Sequence, residues 1–334
     1  MKKIKIFTAA ILPLFLMAFV SGCSSNAGGQ GGKAGEPLTK TAVMLDWSVN
    51  TNHTGLYVAL EKGYYREQGL DVEILQMGDP GPAQMIAAGQ LDFGVSYQEE
   101  VTNARAADIP VVSLAAVIQH NTSGFASLKE DNLVRPRDLT GKRYGGWGAP
   151  MEHAVISAIM HQDDADAETV EFIDIGAADF FSVIGRQVDF AWIFYAWDGI
   201  KSQLESKPLN IIMLKDYAEF LDYYTPTIIT SEETIAEKPD LVRKFMAATS
   251  QGYEFAIANP QEAAEILLKY APELDAELVK KSQDWLAAEY QADAPQWGWQ
   301  DQKVWERYAA WMAEQELLPR MIETEKAFTN EYLP

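Results

Sequence analysis

Cysteine is almost missing from this chain of 334 residues: Cys23 is the only one. A single thiol excludes an internal disulfide and a cysteine-built metal cluster. Histidine is scarce too. His53, His120, His153 and His161 form neither HExxH nor a close ligand pair suited to zinc, so no metal is expected. His153 and His161, eight residues apart on one predicted helix, read as solvated-face residues. Positive charge is short as well, with 27 Lys and Arg against 48 Asp and Glu and a formal net charge of −21. That balance argues against nucleic acid, whose phosphates demand basic patches, and against a polybasic grip on anionic lipid. No GxSxG, P-loop, or GxGxxG in a strand-to-helix setting is present. The segment GDPGPA has Gly78 and Gly81 but lacks the lysine and the spacing, although its backbone N–H groups can still face a ligand from a helix start. No catalytic residue and no cofactor are expected.

What is present begins with MKKIKIFTAAILPLFLMAFVSGCSS, three lysines ahead of an apolar run that ends in small residues. This is the layout of a secretory signal, too short to favour a permanent transmembrane helix. Val20 to Cys23, V-S-G-C, looks like a bacterial lipobox, which implies cleavage after residue 22 and lipid on Cys23. Loss of the three leader lysines takes the charge from −21 to −24. Residues 23–39 then read as a flexible Gly/Ser-rich tether. No later apolar run is long enough to span a bilayer. The expected picture is a body held by a lipid anchor on the extracytoplasmic face of a cell membrane.

From Thr41 the chain alternates short apolar runs with helical periodicity: TAVMLDW, GLYVALEKGYYREQGL, DVEILQM, PAQMIAAGQ and LDFGVSY predict strand, helix, strand, helix, strand. From Lys142 the order recurs in KRYGGW, APMEHAVISAIMHQ, TVEFIDI, AADFFSVIGRQ and VDFAWIFY. Asp92-Phe93 and Asp189-Phe190 mark matching places, 45 and 42 residues after Trp47 and Trp147. The repeat predicts two α/β lobes: 40–124 with 228–334, and 125–227, hinged near 120–126 and 222–230. Ligands of such sheets sit outside the carboxyl ends of the strands. Facing lobes would then converge Trp47 to His53, Gly78 to Pro82 and Tyr97 to Glu100 on Gly145 to Glu152, Gly176 to Asp179 and Phe194 to Asp198. The helices after Ser231, which is placed to cap the first of them, are expected to pack back on the first lobe. In DAPQWGWQDQKVWERYAAWMAEQELL the helical spacing of Trp305, Tyr308, Trp311 and Met312 predicts packing rather than a ligand box.

LDWSVNTNHTGLYVALEKGYYREQGLDVEI, AAGQLDFGVSYQEEV, YGGWGAPMEHAVI and DFAWIFYAWDGI together resemble the thiamin-pyrimidine branch of the substrate-binding lipoproteins of bacterial ABC importers. The similarity runs over most of residues 41–330. It implies a type II periplasmic-binding fold and capture of a formylaminomethyl or hydroxymethyl aminopyrimidine by a monomer. It also implies delivery of that ligand to a permease and its ATPase. Riboflavin and sulfonate binders are relatives and leave another small ring or an alkanesulfonate as alternatives. The wider superfamily includes pyrimidine-forming enzymes with a histidine near the position of His53. Those carry a cysteine-rich motif that the body of this chain lacks.

For a flat aminopyrimidine, Trp47 and Trp147 are the ring-stacking candidates, with Tyr97, Trp192 and Tyr195 as further walls. Each Trp also suits core packing, Trp192 above all because it lies in a strand. Asp198 stands where it can accept from the exocyclic amine, or it caps GIKSQL. Asn50 and Asn52 read ring nitrogens or cap the helix from Thr54. His53 is either a ligand contact or a satisfied loop histidine. Glu152 is a further candidate, although the helix dipole explains both it and Glu99 without a ligand.

Overall fold

The computed structural model describes residues 37–176 and 178–334. The expected signal, the Cys23 anchor and most of the tether lie outside the described residues.

Each half of the repeat folds as strand and helix in turn. The first contains β1 (Thr39–Met44), α1 (Thr54–Glu61), α2 (Tyr64–Glu67), β2 (Leu70–Leu75), α3 (Pro82–Ala87), β3 (Phe93–Ser96), α4 (Gln98–Ala106) and β4 (Val111–Ala116). The second contains β5 (Ser123–Leu128), β6 (Arg143–Gly146), α5 (Pro150–Gln162), β7 (Glu171–Asp174), α6 (Phe180–Val183), β8 (Phe190–Phe194), α7 (Ile200–Leu204) and β9 (Leu209–Met213). The chain then returns through β10 (Thr227–Ser231) to α8 (Glu232–Glu237), α9 (Pro239–Ala258), α10 (Pro260–Tyr270), α11 (Ala276–Glu289) and α12 (Gln302–Glu314). The single helix expected over GLYVALEKGYYREQGL is two, because Gly63 takes φ 81° between α1 and α2. A left-handed residue cannot continue a right-handed helix.

Two five-stranded sheets result, ordered β2-β1-β3-β10-β4 and β7-β6-β8-β5-β9. In the first, β1 runs parallel to β2 and β3, while β10 is antiparallel to β3 and β4. In the second, β6 is parallel to β7 and β8, while β5 is antiparallel to β8 and β9. The two orders are equivalent position by position. In each sheet the fourth strand is the first to follow a passage of the chain from the other sheet. The repeated Asp-Phe pair has one job in both. Asp92 accepts from Thr41 Oγ1 at 3.0 Å and Lys238 Nζ at 2.8 Å, and Asp189 accepts from Arg143 N, Nε and Nη2 at 2.9, 3.1 and 2.7 Å. Each aspartate thus ties the approach to the third strand to the first strand. Phe93 stacks on Phe245 at 3.8 Å in one core, and Phe190 meets Phe125 edge-on at 5.7 Å in the other.

Residues 117–122 and 214–226 carry the chain between the sheets, side by side. Val117 N donates to Pro226 O at 2.9 Å, Asn121 N to Asp222 Oδ1 at 2.8 Å, and Asn121 Nδ2 to Leu221 O at 2.8 Å. Ser231 caps α8 by accepting from Thr234 N, as its position predicts. Helices α9, α10 and α11 pack on the first sheet's core through Phe245, Tyr253, Leu267 and Leu286. The expectation that every later helix returns to that lobe needs correcting for α12. Its Trp305 enters a core with Met44, Ile86 and Ile229, whereas Tyr308, Trp311 and Met312 enter the second sheet's core with Leu139 and Met151. A row of large side chains lying across a seam buries most area by filling both sides. Among the described residues, no helix is long and apolar enough to cross a membrane.

Candidate ligand-binding site

The carboxyl ends of β1, β3, β6 and β8 open into the loops that carry the candidate residues. After β1, the turn Thr51–His53 is clamped from beneath. Tyr290 Oη donates to Thr51 O at 2.5 Å, Tyr253 Oη donates to Asn52 O at 2.8 Å, and the hydroxyls of Thr51 and Ser282 lie 2.6 Å apart. His53 is wholly buried, its Nδ1 accepting from Asn50 N at 3.2 Å and its Nε2 lying 2.7 Å from Asp46 Oδ1. A ring whose Nδ1 accepts carries its hydrogen on Nε2, which therefore donates to Asp46. Both nitrogens are occupied, so the expected ligand contact of His53 is corrected to a positioning role. Asn50 is corrected likewise: its Oδ1 accepts from Asn52 N at 2.9 Å and its Nδ2 donates to Ser48 O at 3.0 Å, which is capping work. The Asn52 amide has no hydrogen bond among the described residues and stays available. Trp47, at 56 % exposure, stands out from this rigid base.

After β6 the design repeats with a different clamp. Glu152 is 2 % exposed. Its carboxylate accepts from Tyr144 Oη at 2.8 Å, from Trp147 N at 3.0 and 3.2 Å, and from Ala149 N at 2.8 Å. Every donor is internal, so Glu152 shapes the loop and does not itself meet a ligand, another correction. A Cβ on Gly146 would lie 2.2 Å from Glu152 Oε1 and 2.5 Å from the Tyr144 ring, which makes glycine obligatory there. Trp147 is 52 % exposed and leans on Trp192 at 5.7 Å with the planes 52° apart. Trp192 in turn meets Phe125 edge-on at 5.4 Å, and its indole N–H is buried without an acceptor among the described residues.

Tyr97, exposed, precedes α4, whose first turn brings Glu99 and Glu100. Burial pushes the Glu99 carboxyl up to about 7, with the charges of Glu100 and then Glu152 adding to the rise. Burial also raises Glu100, opposed by the hydroxyl of Ser96 that donates to it and assisted by the charge of Asp46. Tyr97 is raised by burial and by the charges of Glu100, Glu99 and Asp46. The charge of Glu152, on α5 of the second lobe, thus acts on Glu99 of the first. Tyr223 of the returning crossing and Tyr308 of α12 form a stacked pair, 4.3 Å apart and both buried. Each is raised above the tyrosine range by burial first and also by Glu99.

Tyr195 and Asp198 lie in the segment that packs against α11, the helix whose Ser282 meets Thr51. Tyr195 packs on Trp285 of α11 at 4.9 Å and its hydroxyl accepts from Gln203 Nε2 at 2.9 Å, so it joins the lobes. Asp198 lies in the turn Tyr195–Gly199 and does not cap α7, whose cap is Gly199. Burial pushes Asp198 up to about 6, against the pull of Lys201 and with the help of Asp179. Two surface hollows, one beside His161 and Glu168 and one beside Tyr57 and Tyr270, include none of the candidate residues. From the sequence, Tyr223 is not singled out, Tyr308 reads as packing and the helix dipole explains Glu99. YQEE at the end of β3 was signal enough for Glu99, since the strand-end logic that selects Tyr97 applies two residues later.

A family model described as NMT1/THI5 like matches residues 50–263. The formylaminopyrimidine-binding protein of Halalkalibacterium halodurans is 29% identical over 338 aligned residues, 99% of each chain. The 4-amino-5-hydroxymethyl-2-methylpyrimidine phosphate synthase of Legionella pneumophila is 26% identical over 248 residues, 73% of this chain and 77% of that one. The periplasmic aliphatic sulphonate binding protein SsuA of Escherichia coli has a TM-score of 0.65 at 12% identity, covering 86% of this chain and 91% of its own. The shared architecture is the type II periplasmic-binding fold, two α/β lobes with a hinge and a cleft between them.

Proposed function

Because the chain belongs to the NMT1/THI5-like family, we propose that it is the extracytoplasmic binding component of an ABC importer for a thiamin pyrimidine precursor. The ligand is a formylaminomethyl or hydroxymethyl aminopyrimidine, gripped between the lobes and delivered to a permease and its ATPase. The observation that carries the reading is the pair Trp47 and Trp147, large aromatics more than half exposed at the ends of equivalent strands of the two sheets. Exposed indoles on rigid loops provide flat faces for a flat ring, about 0.5 to 1.5 kcal/mol each beyond buried area. The full-length similarity to a formylaminopyrimidine-binding protein supports the choice of ring. The lipid anchor at Cys23 and residence on the outer face of the membrane belong to the same proposal.

A ligand touching both lobes biases the hinge toward closure, and closure is what a permease can recognise. Catalysis is the second reading, because relatives in the family are named as synthases. Against it stands His53, whose two ring nitrogens are spent inside the fold. Calorimetry with 4-amino-5-hydroxymethyl-2-methylpyrimidine tests the first reading: Trp47→Ala and Trp147→Ala should each weaken binding by about 1 to 3 kcal/mol with folding retained. Unchanged affinity in both variants would remove the paired-tryptophan cleft. Mass spectrometry of the purified protein incubated with candidate cofactors and no added pyrimidine should find no pyrimidine phosphate, the product for which the relatives are named, and its appearance would establish the synthase reading instead.

A further inference from the structure

We propose that the cleft selects its ligand by charge and that Glu99 is the residue that reads it. The site takes an uncharged or protonated nitrogen base, its ring nitrogen and exocyclic amine facing the Glu99 carboxyl, and turns away anionic relatives such as the phosphate ester. The inference rests on the cleft described above and adds to it a ligand class and a specificity-determining side chain.

Three carboxylates near the strand ends are already occupied. Glu152 spends both oxygens on Tyr144 and on the backbone of Trp147 and Ala149. Glu100 accepts from Ser96, and Asp46 accepts from His53. Glu99, half-buried among them, has no donor among the described residues. A carboxylate withdrawn from water without a donor is costly, and that cost falls when a bound molecule brings N–H groups to it. Its carrier is rigid. Gln98 N donates to Tyr224 O at 3.0 Å, Gln98 Oε1 accepts from Tyr224 N at 2.9 Å, and Gln98 Nε2 donates to Val304 O at 3.3 Å, which pins the first turn of α4 to the crossing and to α12. On the second lobe the buried Trp192 N–H is the complementary unfilled group, a donor awaiting an acceptor.

Charge points the same way. The strand-end segments 46–53, 78–82, 97–100, 145–152, 176–179 and 194–198 contain no lysine and no arginine, and they carry Asp46, Asp79, Glu99, Glu100, Glu152, Asp179 and Asp198. Two cations close in sequence to these segments are paired, Arg143 with Asp189 at 2.7 Å and Lys201 with Asp179 at 2.9 Å. An anion entering this space meets like charge and finds no counter-ion, a repulsion that grows where water is thin. The fold itself is shared with a sulphonate-binding protein, so the discrimination rests on these side chains and not on topology.

The test is calorimetric titration of the purified protein with 4-amino-5-hydroxymethyl-2-methylpyrimidine and, separately, with its phosphate ester. The wild type should bind the ester at least about 100-fold more weakly than the free base. Glu99→Gln, which keeps size and removes charge, should weaken the free base about tenfold and narrow the ratio between the two compounds. Its melting temperature without ligand should not fall, which separates ligand reading from a structural role. An ester that binds the wild type as tightly as the base would overturn the inference, and that comparison needs no variant. So would a Glu99→Gln protein that folds and leaves the ratio unchanged. If the wild type binds neither compound, the pyrimidine proposal fails first and this one with it.

Discussion

The Glu152 carboxylate shows how one side chain can set a loop that carries another. Buried and bonded to three residues, it holds the loop from which Trp147 stands exposed. Truncation to alanine leaves a hydroxyl and two backbone N–H groups short of an acceptor, each a group whose desolvation is no longer compensated. Glu152→Ala should therefore lower stability by about 1 to 3 kcal/mol, and Glu152→Gln, which keeps one acceptor oxygen, by less. Urea midpoints of the two variants would rank them, and equal midpoints would contradict the role. His53 and Asn50 are the counterparts on the first lobe. In all three cases the residue type was readable as polar and strand-terminal, but the direction in which it spends its hydrogen bonds was not.

Among the elements, the paired crossings decide how the lobes move. His120 sits at the first crossing, with Nδ1 2.7 Å from Asp222 of the second and Nε2 3.1 Å from Asp293. The hydrogen bond to Asp222 raises its proton affinity most, burial opposes the rise, and the charges of Asp222 and Asp293 add to it. A histidine whose folded pKa is raised contributes stability that is fully present below its unfolded value, about 6.5, and is lost as pH climbs through the folded value. Stability followed by urea titration from pH 6 upward should therefore fall across that window, and His120→Asn should flatten this component of the curve. A variant with the wild-type slope would assign the pH dependence elsewhere, Glu99 and Asp198 being groups also raised toward that range. Helix α12 adds a second link. Trp311 stacks on Phe220 at 5.2 Å while Trp305 fills the first sheet's side.

For the whole molecule, two sheets joined by two crossings and one bridging helix make a hinged body, not two independent ones. Addition of the aminopyrimidine should reduce the radius measured by small-angle scattering, because closure brings the Trp47 and Trp147 loops together over the ligand. Binding with no change in radius would mean that the ligand contacts one lobe alone. The contact of Tyr195 with Trp285 already joins α11 to the second lobe, so the change should be a modest rotation and not a wide swing.

The alternation of strand and helix that recurs in the two halves was determined by local signals. Apolar runs, glycine at Gly89, and the paired Asp92-Phe93 and Asp189-Phe190 are properties of neighbouring residues, and neighbours in sequence suffice to specify them. The tertiary structure decided which polar side chains are consumed. His53, Asn50 and Glu152 look like ligand groups in one dimension, and their partners are loop atoms whose positions depend on cores formed by distant helices. It also decided that α12 spans both cores and that Tyr195 meets Trp285, since long-range packing is set by shape and buried area and leaves no mark at any one position. Glu99 lies between the two cases. Its place at a strand end is written in the chain, but its lack of a donor emerges only when every neighbouring donor has been assigned.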